Sequence, residues 1–178
     1  MKVKLPNLHK WQKDLVDTFT NNRTGKWIVT KAPRQVGKSI VLEYLLTYAS
    51  LLEGNSVSLS VSPTIAQARK LYNDISLSCS KLLKKSNGSL LYIEFINGSQ
   101  IHFKSAEQGD SVRGFTTKKS GILCVDEAAF IDEDWFYSVV VPITNVYKSD
   151  IFLFSTPKFK QGLFYNLYTK GGTDNIIT

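Results

Sequence analysis

The stretch of residues 27–46 constrains the fold more than any other part of the chain. It begins with an apolar, strand-like run, Trp27–Lys31, and turns through a short loop that ends in Gly37-Lys38-Ser39. A helix-forming run over residues 40–46 follows without a break. A strand that passes through a glycine-bearing loop directly into a helix is typical of α/β proteins with a parallel sheet, so the sequence predicts that class.

The loop itself has the pattern of an anion-binding motif. It fits the P-loop pattern G-x-x-x-x-G-K-[ST], except that Ala32 stands where the pattern has its first glycine. Pro33 favours extended backbone at Ala32, with a negative φ that alanine tolerates. Backbone N–H groups of the loop and the positive end of the next helix dipole would then point at a phosphate. The residues predicted to form this cradle are Arg34, Gln35, Val36, Gly37, Lys38, Ser39 and Ile40.

Four of these residues have side-chain or backbone properties that suit a bound nucleoside triphosphate. Lys38 would reach the β- and γ-phosphates, and the Ser39 hydroxyl would ligate Mg²⁺. Gly37 lets the backbone approach the phosphate without a Cβ. Arg34 is unusual within such a loop. Its guanidinium could neutralise charge on the γ-phosphate in the transition state, or it could be an ordinary surface arginine.

An acidic strand end supplies the second half of a nucleotide-hydrolysing site. Residues 122–125 form an apolar run that is too short for a helix and reads as a central strand buried on both faces. Asp126 and Glu127 follow directly. Asp126 would hold the Mg²⁺ shell, and Glu127 would orient or deprotonate the attacking water. Two solvated acids at a strand end are the alternative, which the phosphate loop in the same chain makes weaker.

Other candidates lie outside these two motifs. Gln12 could pair with adenine N6 and N7, which would favour ATP over GTP. Arg113 lies in a polar loop and could act on the nucleotide of a neighbouring subunit, or it could form an ordinary surface or internal ion pair. Ser155 and Thr156 follow the next predicted strand. Their hydroxyls could sense the γ-phosphate, or they could simply end the strand.

The composition of the 178 residues is that of an ordinary soluble domain, with 43% hydrophobic and 21% charged residues. The formal net charge of +7 suits a polyanionic partner, but a solvated basic face explains it equally well. No apolar run approaches the roughly 20 residues that span a bilayer. Cys79 and Cys124 have no metal-ligand spacing and are expected to be buried thiols.

Predicted helices and strands alternate along the chain. Helices are predicted over residues 8–19, 38–53, 64–83, 134–147 and 163–168, and strands over 27–31, 56–62, 122–125 and 151–154. Asn97-Gly98 lies between apolar runs and is the strongest short signal for a β-hairpin. The expected fold is a mostly parallel sheet sandwiched by helices, to which the hairpin is an insertion outside the alternation.

Taken in order, these motifs resemble the ATPase domain of the large terminase subunit of tailed bacteriophages. The motifs that carry the resemblance are Gln12, the Arg-Gln-x-Gly-Lys-Ser loop at 34–39, Arg113-Gly114, the run Val125-Asp126-Glu127-Ala128-Ala129, and Ser155-Thr156-Pro157. They cover about residues 5–170. The loop with a residue other than glycine in its first position is more specific than a generic P-loop.

The resemblance implies a P-loop fold of the additional-strand, conserved-glutamate (RecA/ASCE-like) class. It also implies an ATP-hydrolysing, Mg²⁺-dependent motor that assembles as a homo-oligomeric ring on the capsid portal, or stays a monomer in isolation. Such a motor moves double-stranded DNA into the procapsid in the host cytoplasm. The implied partners are the DNA, the portal protein and the small terminase subunit.

The same resemblance implies a role for each candidate residue. By this likeness, Lys38 and Ser39 bind phosphate and Mg²⁺, and Arg34 contacts the γ-phosphate. Asp126 is the metal-binding acid and Glu127 the catalytic glutamate. The likeness also implies that Gln12 recognises adenine, that Arg113 is a trans-acting arginine finger, and that Ser155 and Thr156 couple hydrolysis to movement. The remaining loop residues contribute backbone contacts.

One feature departs from the family pattern. Members normally carry a second, nuclease domain, whereas residues 1–178 have the length of a single ATPase domain. We therefore expect no DNA cleavage by this chain. It is either an excised domain or a shortened gene product, and the sequence does not distinguish these.

Two other functions remain open from the sequence. A helicase-like ATPase shares the upstream glutamine, the acidic motif and the Ser/Thr motif, but it needs two such domains. A DNA-binding module with a vestigial nucleotide site is the alternative that is not an enzyme. The basic residues that motivate it are Lys81, Lys84, Lys85, Lys104, Lys118 and Lys119.

Overall fold

One mixed β-sheet organises the computed structural model, which describes residues 7–21, 25–156, 160–171 and 176–178. Within these ranges the sheet has eight strands in the order β3-β4-β5-β2-β6-β7-β1-β8. The strands are β1 Trp27–Lys31, β2 Val57–Ser62, β3 Leu83–Asn87, β4 Tyr92–Phe95, β5 Gln100–Ser105, β6 Leu123–Val125, β7 Ile151–Ser155 and β8 Ile176–Ile177. The α/β class predicted from the sequence is confirmed.

Six neighbouring strands of the sheet run parallel to one another, in the order β5-β2-β6-β7-β1-β8. This order decides which loops lie next to each other at the edge of the sheet. Strand β7 pairs with β1 on one side and with β6 on the other, in parallel. The strand that leads into the phosphate loop and the strand that leads into the two acids are therefore separated by one additional strand. Because all three run in the same direction, their carboxyl ends lie at one edge of the sheet, where ligands bind in open α/β folds.

Helices cover both faces of the sheet. The α-helical segments are α1 Lys10–Asn21, α2 Lys38–Leu52, α3 Ile65–Ser78, α4 Glu133–Trp135 and α5 Leu163–Thr169. Helices α1 to α3 pack on one face, while α5 and residues 128–144 pack on the other. Successive side chains of β7 alternate between the two cores, with Phe152 and Phe154 in one and Leu153 in the other. Strands β6 and β7 are buried throughout, as expected for central strands.

Local signals placed most helix boundaries correctly. Thr64 caps α3 in a capping box with Gln67, and the Asp132 side chain caps α4. The predicted helical run after residue 133 begins as α4, widens into a π-helical turn at Phe136–Val140 and ends as a 3₁₀ turn at Val141–Thr144. Pro142 lies at the start of that last turn, where its missing N–H is tolerated.

One expectation about the middle of the chain was wrong. Helix α3 ends at Ser78 instead of continuing to residue 83, and the chain then forms strand β3, which was not predicted. The hairpin of β4 and β5 interrupts the alternation of strands and helices, as predicted, and it belongs to the main sheet, because β5 pairs in parallel with β2 while it pairs antiparallel with β4. Together with β3, the two hairpin strands form one end of that sheet.

The remaining expectations concern thiols and membranes. Cys79 and Cys124 are both free and buried, as predicted. Within the described ranges, no helix combines the length and the apolar character that crossing a bilayer requires.

Candidate active site

The carboxyl ends of β1, β6 and β7 converge on an open cleft of about 730 Å³. Loop residues form one wall of this cleft, and residues that follow β6 and β7 form the other. The described residues that line it are Arg34, Gln35, Gly37, Lys38, Ser39, Gln67, Glu127, Phe130 and Thr156. The structure thus brings together the phosphate loop, the catalytic-glutamate candidate and one of the two coupling residues.

The loop requires glycine at residue 37 but not at residue 32. Gly37 has a φ of 90° and stands at the N-cap of α2. A Cβ at residue 37 would lie 2.7 Å from Gln12 Nε2, which is closer than real Cβ contacts allow. Ala32 is not among the residues with positive φ, so its side chain is tolerated there as the sequence predicted. Gln35 adopts a left-handed φ of 63° at the turn.

Lys38 is held by three oxygen acceptors inside the cleft. Its Nζ donates to Thr156 Oγ1 at 2.6 Å and to the Ala32 carbonyl at 3.4 Å, and it lies 3.1 Å from Glu127 Oε1. An ammonium group has three N–H donors, so these partners can satisfy it completely. The lysine side chain is only 10% exposed. This ion pair joins the phosphate loop to the acidic strand.

Glu127 is held in place by the strand that follows it in the chain. Its Oε2 accepts from Ser155 Oγ at 3.2 Å and from the Thr156 backbone N–H at 3.3 Å. Ser155 Oγ also accepts from the Ala129 N–H. The backbone of Glu127 is left-handed, with a φ of 47°, which costs energy in a residue other than glycine and is found preferentially at functional sites. The predicted coupling residues therefore contact the predicted catalytic residue directly.

Asp126 lies beside a smaller pocket of about 230 Å³ that Ser39 also lines. Burial, and then the neighbouring Glu127 carboxylate, raises the pKa of Asp126 to about 6. Its Oδ1 accepts from the Glu127 N–H at 3.0 Å. A half-buried carboxylate and a hydroxyl at one pocket are hard oxygen ligands, which suit Mg²⁺. The described residues contain no group of three or more His, Cys, Asp or Glu side chains able to hold a metal.

Gln12 lies beneath the loop. The residue is fully buried, its Nε2 donates to the Gly37 carbonyl at 2.9 Å, and its Oε1 accepts from the His9 N–H at 2.7 Å. These two hydrogen bonds hold the Gln12 side chain against the backbone of the loop. Adenine recognition by Gln12 stays a prediction, and it would require the amide to share or exchange these partners.

Three other predicted residues occupy different positions relative to the cleft. Arg34 is exposed and lines it, whereas Ile40 is exposed on the first turn of α2. Arg113 is also exposed, but the described residues that line the cleft do not include it. Within one chain the structure therefore does not bring Arg113 into the cleft. Pro157, which the sequence placed at the end of the coupling motif, lies outside the described residues.

The sequence analysis missed two residues of the site. Gln67 lines both the cleft and the pocket beside Asp126, and Phe130 lines the cleft with a half-exposed ring. Gln67 is the third helical residue of the α3 capping box. The spacing Thr64-x-x-Gln67 could have placed it at a helix start, but only the sheet order shows that this helix start faces the cleft.

The sequence also matches a known protein family. Residues 29–175 match the family model described as "Terminase large subunit, T4likevirus-type, N-terminal". The chain belongs to this terminase family. The resemblance to phage large terminases that the sequence motifs indicated is therefore confirmed, and so is the P-loop class of the fold. No curated protein sequence matches the chain.

Several solved structures share the fold of this terminase chain. The ATPase domain of the large terminase of Thermus phage P74-26 is 20% identical, with a TM-score of 0.77 over 94% of this chain and 72% of that one. The large terminase of bacteriophage HK97 is 14% identical, with a TM-score of 0.79 over 97% of this chain. The terminase chain spans 39% of the HK97 protein. A large terminase from a thermophilic bacteriophage, solved with ADP, is 15% identical, with a TM-score of 0.76 over 96% of this chain and 44% of that one.

Proposed function

We propose that this terminase chain hydrolyses ATP in the Lys38 cleft and that this hydrolysis drives packaging of double-stranded phage DNA. The observation that carries the proposal is the contact set of Lys38, which joins the phosphate loop to Glu127 and Thr156 in one cleft. A phosphate-binding lysine, a carboxylate and a strand-end hydroxyl within hydrogen-bonding distance are the parts that phosphoryl transfer to water needs. A large terminase solved with ADP supports the choice of nucleotide.

The loop would bind the triphosphate through its backbone N–H groups. Lys38 would contact the β- and γ-phosphates, and Arg34, at the exposed rim of the cleft, would contact the γ-phosphate. Ser39 and Asp126 would hold Mg²⁺, which would offset the negative charge of the phosphates. Glu127 would then orient and deprotonate the attacking water.

The contacts of Lys38 suggest how binding and hydrolysis are linked. The Lys38 ammonium contacts the Glu127 carboxylate, and a γ-phosphate would compete with that carboxylate for the same ammonium. Transfer of Lys38 to phosphate would release Glu127 to act on water. Thr156 contacts both Lys38 and Glu127, and Ser155 contacts Glu127, so loss of the γ-phosphate would change the contacts at the end of β7.

Substitution of Glu127 tests this function. We expect Glu127→Gln to reduce the rate of phosphate release by about 10²–10⁴, since it removes the general base. ATP binding, measured as the ATP-dependent rise in melting temperature, should persist. The control is Glu53→Gln at an exposed carboxylate, which should behave as the wild type. Hydrolysis by Glu127→Gln at the wild-type rate would show that the catalytic assignment is wrong.

The wild-type chain provides the wider test of the function. A wild type that shows neither phosphate release nor an ATP-dependent thermal shift would overturn the function itself. In that case the alternative of a DNA-binding module with a vestigial nucleotide site would be favoured.

The packaging role includes partners and assembly. We infer that the functional form is a homo-oligomeric ring on the portal that works with the small terminase subunit in the host cytoplasm. We expect no nuclease activity from residues 1–178, and incubation with plasmid DNA and Mg²⁺ or Mn²⁺ tests this expectation.

A helicase-like ATPase is the second candidate. The UvsW helicase of bacteriophage T4 is 16% identical and has a TM-score of 0.63 over 96% of this chain and 59% of that one. That likeness concerns the fold alone. A strand-displacement assay separates the two functions, because a packaging ATPase should hydrolyse ATP in the presence of duplex DNA without unwinding it.

A further inference from the structure

A row of aromatic rings crosses one face of the hairpin end of the sheet. Tyr92 of β4 stacks on His102 of β5 with ring centroids 5.3 Å apart and an angle of 16° between the planes. His102 in turn contacts Phe115, with centroids 5.0 Å apart. All three residues are half-buried. We call Tyr92, His102 and Phe115 the ring row.

A lysine lies against each end of the ring row. Lys85 Nζ is 5.7 Å from the centroid of the Tyr92 ring, and Lys104 Nζ is 5.0 Å from that of Phe115. The three strands β3 to β5 carry three lysines and a single acid, Glu94, which pairs with Lys84 at 2.7 Å and lies opposite Lys85. Burial, and then the charge of Lys104, lowers the pKa of His102 to about 4, so its ring is neutral near pH 7. The face is therefore both basic and aromatic.

The architecture of the sheet does not by itself account for this surface. The opposite face of the same strands buries Ile93, Phe95, Ile101 and Phe103 in the core. Lysines on the edge strand β3 would discourage pairing with another sheet edge. That purpose does not explain Lys104, which lies on β5 inside the sheet, or the rings between the lysines. One face of this hairpin is buried in the first core; on the other face Phe115 packs against the second core, and the rings of Tyr92 and His102 stay partly exposed.

The spacing of the two lysines suits a nucleic-acid backbone. Lys85 lies opposite Glu94 of β4, and Glu94 lies opposite Gln100 of β5, so Lys104 is two strands away and four residues further along. The Cα atoms of the two lysines are therefore roughly 16 Å apart, and the phosphates that they contact would be separated by several nucleotides of one DNA strand. His102 Nε2 lies 3.1 Å from Gln100 Oε1, and the Tyr92 hydroxyl hydrogen-bonds the Glu94 carboxylate, so the lysines supply the charged donors of this face.

We propose that Lys85, the ring row and Lys104 form a contact surface for the sugar–phosphate backbone of duplex DNA. The proposal deepens the packaging function and rests on it. Phe115 lies two residues after Arg113, so DNA on this surface would contact the segment that carries the candidate trans-acting arginine. The surface lies at the opposite end of the sheet from β1 and β8.

The test compares two double substitutions that remove the same charge. Lys85→Gln with Lys104→Gln removes two proposed phosphate contacts, and Lys10→Gln with Lys13→Gln removes two exposed lysines from α1. The binding of a fluorescent duplex of about 30 base pairs is measured by anisotropy across a series of salt concentrations without ATP. Loss of two phosphate contacts should weaken binding about tenfold and reduce the slope of log K against log salt by about 2. The α1 control should keep the wild-type slope.

A third variant separates the rings from the charge. Tyr92→Leu should weaken duplex binding while the salt slope stays that of the wild type, because it removes a neutral contact. Melting temperatures check that each variant is folded, and phosphate release without DNA should be at the wild-type rate in all of them. Loss of that basal activity would indicate failure of the ATPase function or of folding, not of the DNA surface.

Several results would overturn the proposal. One is a wild type that hydrolyses ATP but does not bind the duplex at all. Another is an equal loss of affinity in the two double variants, which would indicate a diffuse charge effect. A third is unchanged DNA affinity in the Lys85 and Lys104 variant together with altered sedimentation, which would assign the surface to contact between protein subunits.

Discussion

At the scale of single residues, Lys38 has two roles that the loop motif alone does not reveal. It is positioned for a phosphate, and it also neutralises Glu127, whose carboxylate is only 20% exposed. Removing one partner of such a pair leaves the other charge without compensation in a region of low dielectric. Stability and function therefore depend on the same contact.

We predict that Lys38→Met abolishes the ATP-dependent rise in melting temperature and destabilises the fold by about 1–3 kcal/mol, because Glu127 loses its charged partner. Denaturant titration without and with ATP measures both effects. The control is Lys119→Met, which removes the exposed pair with Glu53 at 3.7 Å and should cost less than about 1 kcal/mol. Equal losses of unfolding free energy in the two variants would show that the Lys38–Glu127 contact stabilises the fold no more than the exposed pair does.

Gly37 and Gly114 allow a second prediction at this scale. Both have a φ of 90°, but a Cβ at Gly37 would strike Gln12 whereas a Cβ at Gly114 meets nothing within 4 Å. Gly114→Ala should therefore cost only the backbone strain of about 1 kcal/mol, and Gly37→Ala should cost clearly more. Unfolding free energies measure the difference.

Gln12→Ala, added to Gly37→Ala, isolates the clash. The double variant should be less destabilised than the sum of the two single variants, since each change removes part of the same contact. Strict additivity would mean that the two side chains do not interact.

At the scale of elements, the hairpin end of the sheet shows how packing sets the properties of a residue. Strand β5 pairs in parallel with β2 and antiparallel with β4, so His102 lies within a continuous sheet and not on an independent ribbon. Its neighbours on this face are Tyr92, Phe115 and Lys104. Charging the ring is unfavourable in that position.

This environment predicts a pH dependence of stability. The pKa of His102 is about 4 in the folded chain and near 6.5 when unfolded, so the unfolded chain binds more protons between these values. Stability should therefore fall as the pH drops from about 6.5 towards 4. Between pH 7.5 and 5 the wild type should lose about 1–2 kcal/mol more than His102→Phe, allowing for the partial exposure of the ring.

The control for the pH prediction is the other histidine. His9→Phe changes an exposed residue, and it should follow the wild-type pH dependence. Urea titrations at several pH values give the comparison. Parallel curves for the wild type and His102→Phe would show that burial of His102 does not set the pH response.

At the scale of the whole molecule, the strand order decides which residues share the cleft. Lys38 and Thr156 are 118 residues apart in the chain and 2.6 Å apart at their side chains, because β7 lies directly beside β1. Arg113 is absent from the described lining of that cleft. If Arg113 takes part in hydrolysis, we expect it to act in the cleft of another copy.

Mixing two inactive variants tests this expectation. Arg113→Ala keeps a complete Glu127 cleft, and Glu127→Ala keeps Arg113, so the mixture should recover part of the ATPase activity if Arg113 acts in trans. Recovery should increase with protein concentration, since it requires assembly. Each variant alone, at the same total concentration, is the control. Failure to recover activity at any concentration would contradict the trans role.

Much of the site could be predicted because its signals are local. The loop that ends in Gly37-Lys38-Ser39, the tolerance of Ala32 and the cap at Thr64 each depend on residues close in sequence. Strand β3 could not be predicted, because Lys84 and Lys85 interrupt its apolar pattern and it is ordered by its antiparallel partner β4. The burial of Ser58 and Ser60 on β2 is likewise a result of packing from both sides of the sheet.

The sequence by itself determined the class of fold, the position of the phosphate loop, the acidic strand end and the likeness to large terminases. Each of these depends on short motifs whose conformation is set by neighbouring residues. Only the tertiary structure decided that Lys38 contacts Glu127 and Thr156, that Gln12 supports Gly37, and that lysines flank a row of rings on the hairpin face. Those contacts join residues distant in the chain, so they follow from the order of strands and from packing, which no local pattern encodes.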